Sequence, residues 1–79
     1  MLSNLKRYFK TLTPLTLRNL LKAADLTELE FWVSKYTFIE KRMVENICMK
    51  LNISRAYYFI LKDKALIKIY YKLKELKKV

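Results

Sequence analysis

The sequence predicts an all-α fold: a compact bundle of about five helices that contains a helix-turn-helix and ends in one long helix. Three observations lead there. The 79 residues include no glycine and one proline, which argues for helices joined by short corners of Asn, Thr and Ser and against an all-β fold. Apolar residues recur at spacings of three and four in successive stretches of the chain, the pattern of helices with one buried face. Met43 to Leu66, reading MVENICMKLNISRAYYFILKDKAL, has the layout of a helix, a three-residue corner and a second helix. A chain of this length makes a single domain, 1–79, with a core small enough for self-association to add stability.

Leu2 to Leu12 form the first expected helix, with Leu5, Tyr8, Phe9 and Leu12 on one face and Lys6, Arg7 and Lys10 on the other. A basic amphipathic start can touch a membrane surface. This one is short and weakly charged, so packing on the bundle is the expectation. Thr13 then caps a second helix and Pro14 is its first residue, where a missing N–H costs nothing. That helix runs to about Ala24 and buries Leu17, Leu20, Leu21 and Ala24; together the two make an N-terminal unit, 1–24.

Thr27 and Glu30 have the spacing of a capping box, and Leu26 and Phe31 that of a hydrophobic staple across it. The helix they open is expected to reach Tyr36 or Thr37 and to bury Leu29, Val33 and Tyr36. Trp32 lies on its shoulder, either as core or as an anchor for a partner. Thr37 to Glu40 is the expected corner before the helix-turn-helix.

In the next helix Val44, Ile47 and Leu51 form the apolar face, and Cys48 on that face is small, as close approach of a second helix demands. Asn52 can take the left-handed conformation that ends a helix. Ile53 plugs the corner and Ser54 caps the second helix. This second helix offers Tyr58, Leu61, Ala65 and Leu66 inward and can continue from Arg55 to about Lys77, roughly 34 Å at 1.5 Å per residue. A helix-turn-helix needs only the first three turns. The remainder keeps an apolar seam of Leu66, Ile69, Tyr70, Leu73 and Leu76, which must be covered by the N-terminal helices or by the same helix of a second copy. Leu66, Ile69, Leu73 and Leu76 are therefore candidate homodimer residues, and the dimer is the preferred expectation.

Leu26-Thr27-x-x-Glu30, Val44-Glu45-x-Ile47-Cys48, Leu51-x-Ile53-Ser54-Arg55 and Lys64-Ala65-Leu66-x-Lys68-Ile69 resemble region four of bacterial sigma factors. The same pattern occurs in small phage and mobile-element regulators of the ArpU and sigma-region-four-like kind. The resemblance covers roughly Leu26 to Tyr71, so the core of the fold is expected in 26–71. It implies double-stranded DNA as partner, bound by the second helix, and often contact with RNA polymerase. Carried over, Arg55, Ala56, Tyr57, Phe59 and Ile60 would face base edges, with Lys62 and Asp63 one turn later and Lys64 beyond them. Ser54, Lys41 and Arg42 would hold phosphates. Arg55 matches the family's basic position and its fork can read guanine or clamp phosphate. Ala56, Phe59 and Ile60 depart from the family, where those positions are usually polar. Apolar side chains there suit thymine methyls, or else Tyr57, Phe59 and Ile60 form an interface for a host protein such as RNA polymerase.

Composition bounds the rest. The formal net charge is +10, and eight of the basic residues lie from Arg55 onward against only Asp63 and Glu75, a distribution suited to a polyanionic partner. One cysteine and no histidine leave no internal disulfide and no metal-ligand cluster, so no metal and no cofactor is expected, and Cys48 reads as core filler. Scattered carboxylates and the lack of a glycine-rich phosphate loop argue against an enzyme. No apolar run is long enough to span a bilayer. The expectation is a cytoplasmic protein of a bacterial host cell that binds T-rich or sequence-specific DNA as a small transcription regulator. A protein-interaction module on the same fold, and a packaging-type DNA binder, are the alternatives.

Overall fold

The computed structural model describes residues 2–76. Five α-helices follow one another: α1 (Leu2–Phe9), α2 (Pro14–Ala23), α3 (Glu28–Ser34), α4 (Val44–Leu51) and α5 (Arg55–Glu75), with a π-helical turn over Lys35–Ile39 directly after α3. The described residues contain no strand, and the class is all-α. At 21 residues α5 is about 31 Å long, most of the molecule's 35 Å long axis. The expected end of this helix near Lys77 lies outside the described residues.

α5 packs against each of the other four helices, most extensively against α3. Its two halves serve two cores. Tyr58 and Leu61 join Val33, Tyr36, Ile47 and Cys48 around the corner. Leu66, Ile69 and Leu73 join Leu5 and Phe9 of α1, Leu17, Leu20 and Leu21 of α2, and Ala24 at the end of α2. Fully burying an aliphatic side chain of this kind stabilises by about 1.5–3 kcal/mol. The completely buried Ala65 lies between these two groups on α5, where its small side chain permits close approach.

This arrangement covers within the chain most of the seam on which a dimer was expected. Leu66 and Ile69 are 0% exposed and Leu73 is 2% exposed, covered within the chain by α1 and α2, while Leu76 at 47% stands outside the buried stripe. The physical reason is length: two N-terminal helices with apolar stripes need the same surface, and an intramolecular partner is always present.

Local signals set most of the boundaries. Thr13 accepts the backbone N–H of Thr16 at 3.2 Å and Pro14 occupies the first turn of α2. The Thr27 box is complete: Glu30 N–H donates to Thr27 Oγ1 at 3.3 Å and Thr27 N–H to Glu30 Oε1 at 3.0 Å. Leu26 and Phe31 both pack on the α1/α2 core. Two boundaries differ from expectation. α1 stops at Phe9 rather than Leu12, because the Thr11 hydroxyl bonds Tyr8 O at 2.6 Å and competes with the helix, and because Pro14 disfavours helix at Thr13. The corner placed at Thr37 to Glu40 is occupied by the π turn, closed by Glu40 N–H to Lys35 O at 3.0 Å. The wider turn sends neighbouring residues to different places. The Thr37 hydroxyl meets the Tyr58 hydroxyl at 2.8 Å, whereas Phe38 packs edge-on to Phe9 with ring centroids 5.0 Å apart. The chain turns toward α4 only afterward, through Lys41 at φ 54°.

Candidate nucleic-acid interface

The corner between α4 and α5 is made by Asn52, Ile53 and Ser54. Asn52 is left-handed at φ 56°, ψ 50°. Its N–H reaches Met49 O at 3.3 Å and the N–H of Ile53 reaches Cys48 O at 3.0 Å, the paired bonds of a Schellman ending. Ser54 Oγ then accepts the N–H of Tyr57 at 3.1 Å and starts α5. Cys48 and Ile47 are buried beneath, and partly buried Ile53 plugs the turn as expected.

This start fixes which side of α5 faces outward. Tyr58 and Leu61 point into the core, so the residues between them project from it. Tyr57 is 43% exposed, Phe59 40% and Ile60 50%, with Ala56, Arg55 and Lys64 also exposed. Lys62 is half-buried, its ammonium 5.0 Å from the Phe59 ring centroid and 5.9 Å from that of Tyr58. Burial lowers its pKa below the ordinary lysine value, and the nearby charge of Lys6 on α1 lowers it further, against a smaller opposing effect of Asp63. α1 packs on α5, so the charge of Lys6 is felt at Lys62, an effect that no local pattern in the sequence signals.

The arginines are less free than their positions suggest. Arg55 donates to Glu45 of α4 across the corner. The Glu45 carboxyl is held below the usual carboxylate range by its own backbone N–H and then by Arg55. Arg42 donates to Glu40 Oε1 at 2.7 Å and to Asn46 Oδ1 at 3.0 Å, and lies over the Tyr36 ring at 5.2 Å. The Arg42 bond is also the leading cause of a lowered Glu40 pKa. Arg55 and Arg42 therefore sit preoriented by carboxylates that a phosphate would have to displace. Ser54 is committed through its Oγ to the helix cap. Lys41 is exposed but lines a cleft formed by α1, α2 and the π turn, to which no α5 residue contributes.

On α3, Trp32 stacks on Tyr36 with centroids 5.6 Å apart and has Lys35 over its ring at 5.1 Å. Lys50 of α4 reaches the Tyr36 ring at 5.7 Å, so this side of the corner is an aromatic ledge edged by cations. Among the described residues no helix is long and apolar enough to cross a membrane.

Fold and surface together define a small, basic, all-α protein built on a helix–corner–helix. The chain belongs to the family described as "Protein of unknown function (DUF1492)", whose model matches residues 13–70, well over half of it. No curated protein and no solved structure matches the chain.

Proposed function

We propose that the chain binds double-stranded DNA, with the first turns of α5 in the major groove, and acts as a small transcription regulator of a phage or other mobile element. The observation that carries this reading is the presentation of α5. A three-residue Schellman corner and the buried Tyr58 and Leu61 hold Ala56, Tyr57, Phe59 and Ile60 outward in one rigid row. Lys62 and Lys64 come next on the same helix, which suits phosphates flanking a groove. The apolar row favours thymine methyls over a hydrogen-bonded code. The regulatory role rests on the resemblance to sigma region four.

A second reading has its own support. Tyr57, Phe59 and Ile60 are all exposed on the first turns of α5, and Met49 of α4 is 83% exposed; exposed apolar surface of this kind marks protein interfaces. On this reading the same face grips a host protein such as RNA polymerase.

Fluorescence anisotropy with short AT-rich and GC-rich duplexes separates the two. DNA binding should weaken steeply with salt, and replacing Lys62 and Lys64 by Ala should flatten the log–log slope by about 2, near 0.9 for each phosphate no longer neutralised. Absence of binding to either duplex at low salt would overturn the DNA reading and leave the protein-interface reading standing.

A further inference from the structure

A cleft of about 500 Å³ opens on the molecule's side between α1, the start of α2 and the π turn. Its floor is apolar: Phe9, Leu12, Leu17, Phe38 and Ile39. Its other lining is basic, with Lys6 and Lys10 one helical turn apart in the sequence on the α1 side and Lys41 on the segment after the π turn. No carboxylate is among the described lining residues, and none of the three ammonium groups is ion-paired among the described residues. Glu40, next in sequence to Lys41, is engaged elsewhere, 3.5 Å from Lys35 and 2.7 Å from Arg42. Lys41 itself is held at φ 54°, a conformation uncommon for a non-glycine residue. Backbone of this kind, next to a rare π turn, concentrates at functional positions.

We infer that this cleft is a docking site for an acidic, apolar peptide segment of a protein partner. Charge complementarity identifies the occupant. Three uncompensated cations on two walls call for several carboxylates, whereas a small ligand with one acid group would leave two ammonium groups unanswered. The apolar floor between the walls calls for Leu- or Phe-like side chains alternating with those carboxylates. The size lies within the range of about 300–1,000 Å³ over which pockets hold ligand groups, and the cleft is open to solvent rather than enclosed, as a continuing peptide chain requires. No α5 residue lines it, so a peptide seated there leaves the outward row of α5 uncovered.

The probe is a short fluorescent peptide of Asp, Leu and Phe, compared with the same peptide carrying Asn for Asp. Titration of the full chain should show binding by the acidic peptide and at least about tenfold weaker binding by the neutral one. Lys6→Glu with Lys10→Glu, both exposed, should lower the affinity by a similar factor while an unchanged melting curve confirms folding. In amide NMR spectra the acidic peptide should shift Phe9, Leu17, Phe38 and Ile39 well beyond Tyr57 and Ile60. Equal binding of the two peptides, shifts confined to α5, or tighter binding in the cleft by octanoate or by duplex DNA would each overturn the proposal. Because the shift map reads the cleft directly, failure of the DNA experiment and failure of this one remain distinct.

Discussion

Glu30 serves two elements with one buried carboxylate. Its Oε1 accepts the Thr27 N–H at 3.0 Å and the Lys68 ammonium at 2.7 Å, so the start of α3 is tied to the far half of α5. Burial pushes its pKa up, but the Lys68 bond, the Thr27 N–H and the Lys68 charge together outweigh that, and the net shift is downward. A carboxyl lowered in the folded state adds stability that is fully present above the ordinary carboxylate range. That stability is lost as pH falls through the lowered value. Glu30→Gln should therefore cost about 1–3 kcal/mol at neutral pH and flatten the decline in melting temperature on the acid side. Melting curves from neutral to acid pH check both; a variant that matches the wild type at neutral pH would mean the pair contributes nothing. The Thr27–Glu30 half of this interaction was legible in the sequence because its partners are three residues apart. Lys68 was not, because 38 residues separate it from Glu30 and only the packing of α3 on α5 brings them together.

At the scale of elements, the corner was legible for the same reason that it is stable. Asn52 and Ser54 are local instructions that act within one turn of themselves. Asn52→Val should destabilise by about 1–2 kcal/mol, since a β-branched side chain is poorly tolerated at φ 56°, whereas Asn52→Gly should melt within about 1 kcal/mol of the wild type. Denaturant titration of the two variants is the measurement, and equal losses in both would show that the side chain rather than the backbone sets the corner. The π turn, by contrast, left no mark in composition: Lys35-Tyr36-Thr37-Phe38-Ile39 reads as an ordinary helix end. It accompanies two long-range contacts made by consecutive residues, Thr37 to Tyr58 and Phe38 to Phe9, and neither partner is near in the sequence. The outward row on α5 was readable from its register. The pairing of Arg55 with Glu45 needed the two helices to be placed first.

For the whole molecule, the decisive fact is that α5 carries both cores. The sequence showed a seam too long for the helix-turn-helix but could not say who covers it, since α1 and a second copy offer equivalent apolar faces. With Leu73 buried against α1 and α2, Leu73→Lys should unfold or strongly destabilise the monomer, by about 2–5 kcal/mol judging from the loss of a buried leucine. Thermal melts at several protein concentrations decide: the wild-type midpoint should be independent of concentration. A midpoint that rises with concentration would restore the seam between copies.

The π turn also joins two surfaces. On consecutive residues it presses Thr37 against the tyrosine that seats α5 and supplies Phe38 and Ile39 to the floor of the cleft. A guest that shifted the floor would also pull on the seat. Two ligands connected in this way obey reciprocity: whatever factor the first applies to the affinity of the second, the second applies to the first. In a chain of 79 residues with no hinge glycine, those consecutive residues would be the short mechanical route by which one visitor could learn of another.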